Sequence, residues 1–438
     1  MLTRQRHGVV RAGLAEHQRR AVQGAVQVRM QHGVARLGGK AQVIGCEKDF
    51  AHRRKSVSCK DMAQGQALIT GGTGFIGRHV VRRLARMGTS VRVLARRADS
   101  ARRLFAQHAG SVEVVEGDLR NAAHVARAAA GVDCIYHIGG LYGFGPAVAR
   151  DADAINVEGT RHVLEAALHH GTPRVLHVST AGVLRPPHRP NIAPGSDPGD
   201  PCHHDKDGAR LMTERDFPPQ PAWGERYKRS KWTAERLALD YAARGLPVVI
   251  ASPTCPIGAE DESPTPTGRI LADFLAGRFP IVSRTGLNFL AVEDLAAGLI
   301  RAAARGRAGQ RYILGGNNLW LREFLEIVAR ITGRPAPRFT APWPLVLAAG
   351  LAGEALGSDR VCLETALTAR RCQFFDTRHT QMELAWKPEI PLDRAVQEAI
   401  AWFQTGTVPS PLATPGSRRP ATAATSPAVT RSPSAEYK

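Results

Sequence analysis

The 438-residue chain is 43% hydrophobic and 22% charged, the balance of a globular protein long enough for a large core. Its 59 Lys and Arg against 39 Asp and Glu give a formal charge of +20, and the surplus is uneven: residues 1–61 hold 13 basic and 4 acidic side chains, and residues 409–438 hold 4 and 1. These ends carry no aromatic interleaving and no recognisable nucleic-acid module, and no stretch reaches the ~18 apolar residues of a membrane span, so nucleic-acid partners and a spanning segment are not expected.

Residues 1–61 are Arg- and Gln-rich, without sustained periodicity and without the apolar region of a secretory signal. They read as an extension ahead of a natural start at Met62. The end of the chain, 409–438, is rich in Pro, Ser, Thr and Ala and is expected to be disordered. The cysteines at 46, 59, 134, 202, 255, 362 and 372 form no CxxC pair and read as reduced thiols of a cytoplasmic protein.

From Met62 onward the runs QALIT, VRVLA, VEVVEGD, CIYHI, RVLHVST and PVVIASP read as six buried strands. Helical patterns fall between them at roughly 75–87, 99–107, 121–129, 152–170 and 228–244. Such alternation predicts an α/β fold, a Rossmann-type doubly wound parallel sheet over residues 62–260. From Ser263 the pattern becomes irregular, with helices near 265–277, 293–305, 320–332 and 391–403. Residues 261–408 are therefore assigned to a smaller mixed substrate-binding portion at the carboxyl edge of the sheet. Its longest apolar stretch, PWPLVLAAGLAGEALG at 342–357, is broken by prolines and Glu354.

Glycines 71, 74 and 77 directly follow the first strand and open a helix. Glycines there make the turn, admit a pyrophosphate close to the backbone and let helix and strand pack. Where an NAD site places a carboxylate after the second strand, this sequence has Ala95, Arg96 and Arg97. A guanidinium holds a 2′-phosphate, so NADP(H) is expected ahead of NAD(H). Asp118 ends the third strand, where it can meet the adenine amino group.

TGGTGFIG, the GDL at 117–119, HIGG at 137–140, NVEGT at 156–160 and Y-x-x-x-K at Tyr227 and Lys231 together resemble the extended short-chain dehydrogenase/reductase (NAD-dependent epimerase/dehydratase) family. The likeness runs from about 66 to 405. Two further stretches, 227–277 (YKRSKWTAERLALDYAARGLPVVIASPTCPIGAEDESPTPTGRILADFLAG) and 309–338 (GQRYILGGNNLWLREFLEIVARITGRPAPR), are similar to the hopanoid-associated sugar epimerase group, itself close to dihydroflavonol-4-reductases.

The resemblance implies hydride transfer at an alcohol or carbonyl carbon of a small sugar-like or hopanoid-linked substrate. Tyr227 would exchange the proton, Lys231 would stabilise the phenolate and hold the nicotinamide ribose, and Thr180 would bond the substrate oxygen, with Ser179 its bland neighbour. Asn156 would brace the active-site helix. The cofactor would contact Gly71, Thr73, Gly74, Phe75, Ile76, Gly77, Arg96, Asp118, Leu119, Gly139, Lys231 and Pro253. Ala181 and Gly182 stand where dehydratases carry an Asp-Glu pair, which speaks against elimination. Epimerisation and reduction use the same residues and stay open. So does a non-catalytic NADP(H)-binding regulator, although an intact Thr180, Tyr227 and Lys231 argues against it. A homodimer and peripheral membrane contact are compatible with the sequence. Cys202, His203, His204, Asp205 and Asp207 resemble metal ligands only superficially, because no second cluster completes a site, and no metal is expected.

Overall fold

The structure, a computed structural model, describes residues 65–143, 150–185, 211–221, 226–278, 281–356, 363–369 and 372–406. The extension 1–61, the cluster from Cys202 to Asp207 and the tail 409–438 lie outside the described residues.

Strands β1 (Gln66–Thr70), β2 (Ser90–Ala95), β3 (Val112–Glu116), β4 (Cys134–His137), β5 (Arg174–Val178) and β6 (Val248–Pro253) occupy the six apolar runs. Between them lie α1 (Phe75–Arg86), α2 (Ala98–Leu104), α3 (Ala122–Ala129), α4 (Gly159–His169) and α5 (Arg226–Ala243). Beyond β6 come β7 (Cys255–Ile257), α6 (Pro266–Leu275), β8 (Ile281–Val282), β9 (Gly286–Ala291), α7 (Val292–Arg305), β10 (Arg311–Leu314) and β11 (Asn317–Trp320). The last elements are α8 (Leu321–Thr332), β12 (Phe339–Thr340), α9 (Trp343–Ala355), α10 (Leu363–Ala369), α11 (Arg378–Leu384) and α12 (Leu392–Thr405).

The large sheet has the order β3-β2-β1-β4-β5-β6-β10, and every neighbouring pair in it is parallel. Its inner strands are buried on both faces because side chains alternate: Ala67 and Ile69 join the core on one side and Leu68 the core on the other. By contrast β3, expected to be buried, is an edge strand with Glu113 and Glu116 exposed. Val80, Val81 and Leu84 of α1 pack with Leu295, Leu299 and Ala302 of α7 on the first face. Val125 of α3, Leu164 of α4 and Ala238 of α5 fill the second. The sheet and its covering layer thus take elements from both sides of residue 260. The irregular reading after Ser263 missed β10 because a four-residue strand, RYIL, is too short to show a period.

A second core holds Phe274, Phe289, Phe324, Val396 and Ile400 around the sheet β11-β9-β7, with Phe289 and Phe324 stacked at 4.0 Å. β6 runs into β7 through Thr254 alone, so the chain leaves the large sheet at its carboxyl edge and enters the small one directly. Sheet order reverses between β1 and β4, and the crevice of a doubly wound sheet lies at that point.

Candidate active site

The chain turns after β1 through Gly71, whose φ of +71° is left-handed, and a Cβ there would lie 2.6 Å from Gly139 N. At Gly77 a Cβ would lie 2.1 Å from the Gly71 carbonyl oxygen, so only glycine lets α1 come this close to the strand. Gly74 N donates to Gly71 O at 3.0 Å and caps α1, whose first turn carries no acid. The positive end of the helix therefore faces open space without internal competition.

That space is a cleft of about 390 Å3. Gly71, Thr73, Gly74, Phe75, Ile76 and Gly77 line one end of it. Arg96, Asp118, Leu119 and Gly139 continue the wall, and Thr180, Tyr227, Lys231 and Pro253 close the other end. The residues anticipated from sequence to act in catalysis or touch the cofactor thus border one cleft, whereas Arg97 and Asn156 lie outside its lining. A cradle that Cβ atoms would fill, a helix N-terminus free of acid and an exposed Arg96 beyond β2 fit a dinucleotide.

At the Arg96 end, Asp118 is already engaged. Arg120 donates to it from its guanidinium at 2.7 Å and from its backbone N at 2.9 Å. The Arg120 hydrogen bond pulls the Asp118 carboxyl below its usual range, against a smaller opposing effect of burial. Asp118 is therefore shared with a second arginine rather than free for adenine alone. A pair two residues apart in a loop gives no pattern by which sequence reading could have found it.

At the other end α5 places Tyr227, Lys231 and Glu235 on one buried stripe, four residues apart each time. Lys231 Nζ donates to Val178 O at 2.7 Å, and burial lowers its pKa to about 8, partly opposed by the charge of Glu235. Burial raises the Tyr227 phenol above its ordinary value, and a hydrogen bond with Thr180 lowers it. Here the lysine charge is turned toward the Val178 carbonyl, and burial dominates the phenol. Thr180 Oγ1 also accepts from Gly182 N at 3.1 Å, which fixes the turn after β5. Its neighbour Ser179 instead donates to Glu235 Oε2 at 2.5 Å. Glu235 is fully buried and also pairs with Arg311 of β10, joining β5, α5 and the last strand of the sheet.

A second network orders the HIGG segment. Gly139 N donates to Thr70 Oγ1 at 3.1 Å, and that hydroxyl lies 2.8 Å from His137 Nδ1. On the other side His137 Nε2 is 2.9 Å from Thr160 Oγ1, which donates to Asn156 O at 2.6 Å. Each hydroxyl has one proton, so the two backbone groups fix the chain's direction: Thr70 donates to Nδ1 and Nε2–H donates to Thr160. His137 is thus held neutral, and burial lowers its pKa to about 3. Asn156 sits in a π-helical turn, Asp153–Glu158, and bonds both Leu141 N (2.7 Å) and Ser230 Oγ (2.9 Å), tying the HIGG loop to α5 between Tyr227 and Lys231.

Beyond Thr180 and Tyr227 the cleft meets a larger cavity of about 620 Å3. Its wall is mostly apolar, with Ile270, Val282, Leu287, Leu345, Val346 and Phe375 from five separated segments. Among the described residues its charged lining residues are Lys228, Arg269 and Asp273. Tyr142, unforeseen from sequence, reaches both spaces and packs its ring 4.9 Å from that of Tyr227. Among the described residues no group of three His, Cys, Asp or Glu is placed to hold a metal ion.

The profile of the NAD dependent epimerase/dehydratase family matches residues 67–315, which span β1 to the end of the large sheet. The chain belongs to that family. This epimerase-family chain is 33% identical over 351 residues to a putative dihydroflavonol 4-reductase of Synechocystis, covering 77% of this chain and 94% of that one. It is 28% identical to sterol demethylase protein B of Methylococcus capsulatus, covering 77% and 98%. In fold it is similar to a nucleoside-diphosphate-sugar epimerase from Pseudomonas aeruginosa, with a TM-score of 0.63 at 24% identity over 78% of this chain and 98% of that one. Fold, motifs and relatives agree on an NAD(P)-dependent enzyme of the extended short-chain dehydrogenase/reductase type.

Proposed function

We propose that this enzyme is an NADP(H)-dependent dehydrogenase or reductase acting at a secondary alcohol or ketone of a large apolar, ring-bearing substrate of the sterol or hopanoid class. The observation that carries this is the 620 Å3 apolar cavity that meets Thr180 and Tyr227. A sugar nucleotide would need a cluster of basic side chains for its diphosphate. Among the described residues Lys228 and Arg269, offset by Asp273, do not form one. The relative named sterol demethylase protein B supports the same class.

The bound dinucleotide supplies or accepts the hydride. In the oxidative direction Thr180 and Tyr227 hold the substrate oxygen, and the O–H proton passes to the Tyr227 phenolate as the carbon–oxygen double bond forms. In reduction the phenol returns that proton. Lys231, one turn along the same stripe, carries the positive charge that would favour the phenolate on turning from the Val178 carbonyl to the phenol. Gly182 has no side chain and Ala181 a methyl, so the two positions after Thr180 carry no carboxylate to draw a second proton from carbon, and elimination is not supported.

The test is turnover of detergent-dispersed sterol and hopanoid alcohols and ketones beside nucleotide-diphosphate sugars, followed by absorbance of the reduced cofactor. Turnover is expected with the apolar compounds. Ala349→Trp, which narrows the cavity, should raise their KM about tenfold while cofactor affinity stays unchanged. Turnover confined to nucleotide sugars would overturn the proposal.

A further inference from the structure

Helix α9 is apolar on all sides: of its 13 residues, WPLVLAAGLAGEA, only Glu354 is charged. That carboxylate accepts from Leu363 N at 3.1 Å, the first amide of α10, and so is spent on the neighbouring helix. A helix apolar all round is normally buried in a core or in lipid. This one is not buried in its own protein. Leu345 is 63% exposed, Leu351 52% and Leu356, just past its end, 86%. Phe339 before it is 69% exposed and Leu367 of α10 is 41% exposed.

The same helix walls the substrate cavity through Leu345, Val346 and Ala349. A residue that lines a cavity while most of its surface meets solvent stands at the cavity's rim, so Leu345 marks the mouth. In sequence, Arg334, Arg338, Arg360, Arg370 and Arg371 flank α9 and α10, against Glu354, Asp359 and Glu364. Arg334 and Arg338 are exposed, the latter beside Phe339. Segments 186–210 and 407–438 hold no run of large apolar side chains.

We infer that α9, with Phe339 and the start of α10, is a docking surface for an anionic lipid bilayer. Leucines and Phe339 enter the interface, and the exposed Arg334 and Arg338 meet lipid headgroups. Among the described residues no helix is long and apolar enough to cross a membrane, so the contact is a seat and not a span. The direction of substrate entry, from bilayer through the Leu345 rim, rests on the apolar-substrate reading; the docking itself does not.

Flotation of the full chain with vesicles of phosphatidylcholine, alone or mixed with phosphatidylglycerol, tests this without turnover, so a failed substrate panel and a failed flotation are separate results. The protein should float with the mixed vesicles. The double variant Leu351→Ser/Leu356→Ser, outside the cavity lining, should cut binding at least about tenfold. Arg338→Glu should cut it about fivefold or more on the anionic vesicles and leave neutral ones unaffected. Thermal midpoint and dinucleotide affinity should stay unchanged in both variants. Absence of flotation, or flotation indifferent to both variants, overturns the inference. So does a dimer in light scattering that the double variant splits while the unaltered protein ignores vesicles, which would assign the face to a second copy.

Discussion

The two spaces that meet at Tyr227 are built by opposite rules. The dinucleotide cleft is lined by short contiguous motifs at the ends of adjacent strands, rich in glycine and backbone amides. The larger cavity is lined by short runs and single residues between Tyr142 and Phe375, mostly apolar and drawn from segments far apart in sequence. Recognition of a phosphate chain demands fixed backbone geometry, which local spacing encodes. Recognition of an apolar body demands only shape and dryness, which many unrelated side chains supply. The first region can therefore be read as a pattern, and the second exists only once the chain has folded.

If this division is right, damage at the junction should remove chemistry without disturbing the dinucleotide cleft. Tyr227→Phe keeps the ring beside Tyr142 but removes the proton that moves, and turnover is expected to fall by ~10²–10⁴-fold. Dinucleotide affinity, measured by fluorescence titration, should barely change. Full activity in this variant would separate α5 from the chemistry altogether.

The buried histidines of β4 and β5 should make the sheet beneath the cleft sensitive to acid. His137 is buried with a pKa near 3 against an ordinary 6.5, and burial also holds His177 well below its ordinary value. A folded-state pKa below the unfolded one means that the stability is present in full above about pH 6.5. It is lost as pH falls and the unfolded chain takes up protons that the folded one refuses. Linkage puts the loss from His137 alone at about 2 kcal/mol near pH 5. A urea midpoint that stays level from neutrality to pH 5 would show that neither histidine is held as the structure has it.

The finest test lies inside the dinucleotide cleft. With Arg96 beyond β2 and Arg120 close by on Asp118, NADPH is expected to bind at least ~10-fold more tightly than NADH, about 1.4 kcal/mol. Arg96→Asp should reverse that preference and leave the KM of the second substrate alone. Equal affinities in the unaltered protein would assign the two arginines to solvent.

The sequence by itself determined the parts whose physics is local. The six apolar runs specify strands, the glycines specify a turn that no other residue permits, and Tyr227 and Lys231 share a face because a helix repeats every 3.6 residues. Tertiary structure alone decided what depends on distant partners. β10 became the seventh strand because β6 offered a free edge, and Arg311 on it reaches Glu235, which takes the hydroxyl of Ser179 and leaves Thr180 at the mouth of the cavity. Tyr142 came to rest on Tyr227, and α9 turned leucines toward both the cavity and the solvent. No spacing announces such contacts, because they are made between residues whose separation along the chain carries no period.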